Sequence, residues 1–228
     1  GNKTFSGCTN LTSVSSNVTE IGDYAFENCE KLKDIELPKT LSYLGTGAFA
    51  GSAQLSKILL ADRITEIKND TFSGCSSLTE LNISDSVTSI GRNAFSGCKV
   101  NIYFDGTMEE WDVLAENANI AAGEVNVIPY DKSLFVVWDT GLLKNYSGTS
   151  ETVVIPPVIN GTLVTGISQG IFEGRYSIKE VFIPNTVTNI YDGTFSGCKG
   201  LTSVTIPEGV TSIGEHAFLS CSGLTNVT

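Results

Sequence analysis

Long apolar runs are missing from this chain. No stretch approaches the roughly 20 residues a helix needs to cross a bilayer, so no membrane span is expected within it. Basic residues are scarce too: 14 Lys and Arg stand against 25 Asp and Glu, a formal net charge of −11. Binding a polyanion requires clustered cations that displace counterions from phosphates. No such cluster occurs, which excludes nucleic acid as an expected partner. Histidine occurs once, at His216. A catalytic role for it would need a nucleophile or carboxylate brought in from distant segments. Within "GEHAF" it reads instead as a solvent-side turn residue, equivalent to Asn93, Gly47 and Gly193. The nucleophile elbow G-x-S-x-G, the phosphate loop, H-E-x-x-H and the EF-hand pattern are all absent. The six cysteines include no C-x₂-C pair of the kind structural zinc requires. No catalytic residue, cofactor or metal is therefore expected, and the chain is not expected to be an enzyme.

Charge of either sign is thin, at 17% of the 228 residues, against a usual quarter. Disorder does not follow, because apolar residues make up 41% and recur regularly, which disordered segments lack. No signal-peptide pattern opens the chain. It begins and closes inside a repeat, and Gly1 has the look of a cloning remnant, so a longer natural protein trimmed at both ends is expected.

What the chain has is a repeated phrase. "VTSIGRNAFSGC" (Val87 to Cys98) returns as "VTNIYDGTFSGC" (Val187 to Cys198). Aligned on its phenylalanine, the phrase recurs at Phe5, Phe26, Phe49, Phe72 and Phe95, then at Phe172, Phe195 and Phe218. The spacing is 21, then 23 throughout, apart from one gap of 77. A fixed period of this size is the mark of a solenoid. Each unit opens on a strand-like L-x-x-V/I-x-I/L, as in "LKDIEL" (32–37) and "LTSVTI" (201–206). Its last three residues alternate in, out, in. Pro38, Pro184 and Pro207 follow directly and end the pairing. A second short strand is expected at V-T-x-I-G, and a tight turn or short helix at A/T-F-x-G-C, with Phe plugging the core. A single unit buries too few apolar groups to offset the entropy of ordering it. Stacking on neighbours must supply the rest.

These units resemble the BspA-like (treponemal-type) leucine-rich repeat, with the motif L-x-x-I-x-L-P-x-x-V-T-x-I-G-x-x-A-F-x-x-C. The resemblance covers Phe5–Cys98 and Val164–Thr228. It implies a curved solenoid, mainly β with short turns and 3₁₀ or helical segments, in secreted or cell-surface bacterial proteins, several of them adhesins. Departures from the motif are Ser52 and Arg175 at cysteine positions, Ile171 before Phe172, and Lys68 and Tyr191 in place of glycine.

Residues 99–163 break the period. "VNIYF" (100–104) continues the strand ladder. "TMEEWDVLAENA" (107–118) begins with a capping box, Thr107 and Glu110, and shows an apolar face of Met108, Trp111, Leu114 and Ala115. It is expected to form a helix closing the first array. A hairpin is expected from Leu134–Trp138 to Leu142–Tyr146, then a strand at 152–157, with "VINGTL" as an inserted loop. Three regions result: a first array over 1–104, a helical capping insert over 105–133, and a hairpin plus second array over 134–228.

The cysteines fall at one repeat position, forming a column of buried free thiols that behave as small apolar residues. The N-x-S/T triplets at Asn10, Asn82 and Asn160 follow from composition alone. The remaining surface is the outward side of the strand ladder. There Leu59, Tyr103 and Phe182 stand out as apolar groups flanked by Lys57, Glu80, Lys179 and Glu180, the pattern of partner anchors. The leading expectation is a monomeric, non-enzymatic module that binds an extracellular protein or glycan, on the cell surface or secreted. The alternative is a passive spacer carrying another domain. A third reading places a hydrolase in 99–163, which would show as a pocket holding two or more acids near Trp111.

Overall fold

A computed structural model describes residues 1–15, 17–116, 118–120 and 124–228. Part of the expected helix and insert (117 and 121–123), and Ser16 of the first repeat, lie outside the described residues. The chain forms two compact units, Gly1–Pro129 and Tyr130–Thr228.

In the first unit the L-x-x-I-x-L segments become strands Ser13–Ser15, Asp34–Glu36, Lys57–Ile58, Glu80–Ile83 and Val100–Asp105, joined by Val125–Tyr130 as a sixth neighbour. The first five pair in parallel, and each residue meets its counterpart one repeat on: Ser13 with Asp34, Asp34 with Lys57, Lys57 with Glu80, Glu80 with Asn101. The V-T-x-I-G segments give two-residue strands such as Glu20–Ile21 beside Tyr43–Leu44 and Glu66–Ile67 beside Ser89–Ile90. Between the two strand rows, the A/T-F-x-G-C segments are turns rather than helices. They are tied coil to coil by their own ladder: Phe26 N–H donates to Ala48 C=O, Phe49 to Thr71 and Phe72 to Ala94, at 2.8–2.9 Å.

The phenylalanines line up as the period requires. Neighbouring rings from Phe5 to Phe95 lie 5.2, 5.4, 5.8 and 6.1 Å apart with planes within 14° of parallel. Phe172, Phe195 and Phe218 repeat this at 5.1 and 5.2 Å in the second unit. Offset parallel rings at this distance add to the gain from burial.

The capping box forms as read: Thr107 Oγ accepts from Glu110 N–H, and Glu110 Oε2 accepts from Thr107 N–H at 2.8 Å. The helix it starts, Met108–Ala115, buries Trp111, whose ring meets Phe104 edge-on at 5.5 Å. Beyond the helix, Ala118 C=O accepts the Asn93 N–H at 2.9 Å, the role the next coil plays elsewhere. The segment expected as a helical insert thus holds, among its described residues, both this helix and a strand, Val125–Tyr130.

In the second unit the expected hairpin forms as Phe135–Val137 antiparallel to Leu142–Tyr146, with a register irregularity after Val136. Its second strand continues in parallel into Gly166–Ile167, Asn189–Ile190 and Ser212–Ile213. Thr152–Val154, Glu180–Phe182, Ser203–Val204 and Asn226–Val227 form the other row. "VINGTL" is not a loop but a small hairpin, Val158–Ile159 against Thr162–Leu163. Asn160 and Gly161 turn it with φ of 49° and 71°, the left-handed pair that two-residue hairpins favour.

Candidate binding surface

The ladder puts side chains of successive coils side by side, so the expected partner-binding residues fall into one group in each unit. In the first, Lys57 is exposed and lies directly opposite Glu80. Leu59, just beyond that strand, is half-buried. In the second, Lys179 and Glu180 are exposed and Phe182 is half-buried, paired with Val154. Lys179 also reaches Glu151 at 2.7 Å, an exposed pair worth little.

Tyr103 does not belong to an exposed surface. Only 3% of it is accessible. It sits on an interior strand, and its hydroxyl donates to Glu80 Oε1 at 3.2 Å. Burial, and then the neighbouring carboxylate, hold that hydroxyl protonated well above the usual phenol range. Asn82, opposite it in the ladder, is buried as well. Simple alternation assigned both outward, yet both are buried, Tyr103 with its hydroxyl on Glu80.

Several exposed aromatics escaped the sequence reading. Tyr43, Trp138 and Tyr176 are 38%, 45% and 65% accessible, each with a lysine ammonium over its ring: Lys68, Lys144 and Lys199 at 5.2–5.5 Å. The clue was available, since Tyr43 precedes a buried Leu44 in a two-residue strand and must point the other way.

The cysteine column has a second role beside packing. Cys29, Cys75, Cys98, Cys198 and Cys221 each donate from Sγ to the phenylalanine C=O of the coil before, at 3.1–3.2 Å. Ser52, the departure in that column, makes the same bond at 2.7 Å. All six thiols are free. The expectation of burial holds for Cys29, Cys75, Cys98 and Cys198 but not for Cys8, which is exposed because no coil lies beneath it among the described residues.

Burial is the main cause pushing the Cys98 and Cys198 thiols up to about 11 from an ordinary 9.0. Raised values in the folded state mean that folding favours the protonated thiol. That contribution is intact below about pH 9 and is lost as pH climbs through 11. Two units correspond to about 3 kcal/mol for each thiol. The urea midpoint should therefore fall between pH 9 and 11, and a Cys98→Ser/Cys198→Ser variant should lose less over the same interval, the remainder coming from Cys29, Cys75 and Cys221, whose thiols burial also raises. Equal losses in both proteins would contradict this account.

A cleft of about 570 Å³ does lie beside the helix, lined by Asp85, Asp105, Glu109 and Glu110 among others. Glu110 is already used by the capping box, and Asp85, Glu109 and Glu110 face solvent. Among the described residues, no three His, Cys, Asp or Glu side chains are grouped to hold a metal, and no helix is long and apolar enough to cross a membrane. His216 is exposed with φ 58°, in the same turn position as Gly47, Asn93 and Gly193.

Parallel coils of about 23 residues, with a phenylalanine column and a thiol column in each unit, define a leucine-rich-repeat solenoid. The family model for the BspA type leucine rich repeat region matches six copies over residues 1–112 and 155–228, and the chain belongs to that family. Its solved structural neighbours include a leucine-rich repeat protein from Bacteroides ovatus, 19% identical, covering 96% of this chain and 81% of that one (TM-score 0.42). The leucine-rich repeat protein of T. pallidum is 25% identical over 93% and 78% (TM-score 0.37). A leucine-rich cell surface protein of Faecalibacterium prausnitzii is 20% identical over 100% and 81% (TM-score 0.38). No curated protein matches the chain.

Proposed function

We propose that the chain is a non-enzymatic binding module of a secreted or surface-attached bacterial protein, and that it engages an extracellular protein or glycan. The observation that carries this reading is the in-register row of polar and charged side chains from successive coils, the exposed Asp34 and Lys57 beside the half-buried Glu80. A backbone fixed on every coil presents such a row with little ordering cost on binding, so many modest contacts can sum. Family membership agrees with it. The half-buried Leu59 and Phe182 supply apolar area beside the charges, and Tyr103 serves to hold Glu80.

The test is an array of extracellular-matrix proteins and glycans probed with the chain. Lys57→Glu with Lys179→Glu should weaken capture while leaving the melting temperature unchanged, since exposed substitutions shift stability by about 0.5 kcal/mol or less. Tyr103→Ser should instead destabilise by about 3 kcal/mol, as removal of a buried ring does. Unchanged capture by the charge-reversed variant would refute the surface assignment. Absence of any capture by the unaltered chain would favour the spacer.

A further inference from the structure

An exposed aromatic ledge crosses the second unit, built by two departures from the repeat. At the x of V-T-x-I-G, where other coils carry Tyr43, Glu66 or Asn189, the coil of Phe172 carries Gly166. In the next coil Tyr191 stands where the motif has glycine. The two departures fit each other. A Cβ at Gly166 would lie 3.1 Å from Leu142 Cδ1 and 3.3 Å from Tyr191 Cε2, so these side chains close over bare backbone. A glycine inside a strand marks a close approach of this kind. Trp138 adjoins Leu142 across the hairpin, its N–H donating to Leu142 C=O at 3.0 Å. Trp138 and Tyr191 are each 45% exposed. The fold does not require the Tyr191 ring, since the motif places glycine there.

The polar groups on the ledge are donors. Lys144 Nζ stands 5.5 Å from the Trp138 ring centroid and has no carboxylate partner among the described residues. Asn189, beside Gly166 in the ladder, turns its Oδ1 to the Thr188 hydroxyl at 2.7 Å. Its amide NH₂ has no acceptor among the described residues. Of the carboxylates next in sequence, Asp192 accepts the Glu215 N–H at 2.9 Å and Asp139 occupies the hairpin turn. The ledge is also small. Two half-exposed aromatic side chains offer about 200 Å² between them, far short of the roughly 800 Å² that each side of a stable protein interface buries. That size suits a sugar ring, whose C–H face packs on an aromatic side chain while its hydroxyls take donors at the edge. An ammonium without a carboxylate partner, in a chain of net charge −11, calls for an acid on that ring.

We infer that this ledge is a subsite for an acidic sugar of the uronic acid class. The sugar ring packs against Trp138 and Tyr191, its carboxylate meets Lys144, and a hydroxyl accepts from the Asn189 amide. The inference rests on the binding-module reading and gives that module an acidic glycan as its partner.

The chain has two tryptophans, so its NMR spectrum carries two indole N–H signals, from Trp138 on the ledge and from Trp111, buried in the first unit. Methyl glucuronide should shift the Trp138 signal and leave that of Trp111 in place. Methyl glucoside should bind about tenfold more weakly, as the loss of one charge-assisted hydrogen bond implies. Sodium acetate, which lacks the ring, should have no effect at matched ionic strength. Tyr191→Gly restores the motif at an exposed position, so it should abolish the shift with the melting temperature unchanged. Lys144→Gln should erase the preference for glucuronide over glucoside. The ledge assignment is overturned by a Trp138 signal that neither sugar moves, that glucoside or acetate moves equally, or that still responds in Tyr191→Gly. Array capture that depends on Lys57 and Lys179 beside an unresponsive Trp138 would leave the binding module standing without this subsite.

Discussion

Phe72→Ala should lower the stability of the first unit by about 3–5 kcal/mol, the range for removing a fully buried aromatic ring. Phe72 has no accessible surface and stands between Phe49 and Phe95, with planes 3° and 4° from parallel. Its loss leaves a gap with a ring on each side, and the neighbours are held along the axis, Phe49 by its N–H on Thr71 C=O and the turn of Phe95 by the Asn93 N–H on Ala118 C=O. In a one-dimensional array every coil depends on the interface with its neighbours, so damage in the middle removes two interfaces. Phe5→Ala is the contrast. That ring is 39% exposed and stacks on Phe26 alone, so its removal should cost about 1 kcal/mol. Urea midpoints of the two variants measure the difference directly. Hydrogen exchange should show amides at Phe49, Phe72 and Gly74 losing protection together in Phe72→Ala. Equal midpoint shifts in the two variants would mean that position along the column is irrelevant and that the coils do not support each other as described.

The period made the fold legible because a solenoid repeats its physics as well as its letters. Once Phe26, Phe49 and Phe72 occupy one position, in-register parallel pairing is the arrangement that satisfies every coil alike. The capping box at Thr107 was equally plain, being a local bond between residues three apart. What stayed hidden were interactions between coils. The asparagine or aspartate after I-G is one of these. Asp23 Oδ1 accepts from Thr46 N–H at 2.9 Å, and Asn69 Oδ1 accepts from Arg92 N–H at 2.8 Å. Above each of them the next coil keeps glycine: a Cβ at Gly45 or Gly91 would lie 2.4 or 2.3 Å from the backbone nitrogen of Asp23 or Asn69. Where the lower coil has Thr46 or Gln169 instead, the upper one has Lys68 or Tyr191. The glycine departures are therefore half of a pair whose other member sits one repeat earlier, a signal visible only when two coils are read together. The Asn-Gly pair at 160–161 is a local signal as well, the commonest sequence of a two-residue hairpin turn. Exposure of the candidate binding residues was the least legible feature: alternation puts Lys57 and Tyr103 outward on the same ladder, yet Lys57 is exposed and Tyr103 is buried with its hydroxyl on Glu80.

Arg175 carries the other large effect, and a direction that the family motif does not suggest. It replaces cysteine in the thiol column, yet it fills the same role at longer reach. Its guanidinium donates to the C=O of Tyr146, the aromatic packed below Phe172, and to the C=O of Gly148 at 2.7 Å, with the charge 5.1 Å from the Tyr146 ring centroid. Tyr146 stands 26 residues before Phe172, against 23 between phenylalanines within the arrays, and Gly148 offers a second carbonyl two residues on. Hydrogen bonds from a charged donor contribute about 1.5–3 kcal/mol each, and the two are not additive when one group makes both. Arg175→Ala should accordingly cost the second unit about 3 kcal/mol. Arg175→Cys, which restores the motif, should recover less than half of that, because a thiol cannot reach Gly148 and leaves its carbonyl without this donor. Arg175→Lys keeps the charge and the stem but not the planar fork, and should fall between the native chain and Arg175→Cys. Urea midpoints give the ranking, native above Lys, Lys above Cys, Cys above Ala. A Cys variant as stable as the native chain would show that Arg175 is an accident of the column rather than the clamp that joins the hairpin to the repeats.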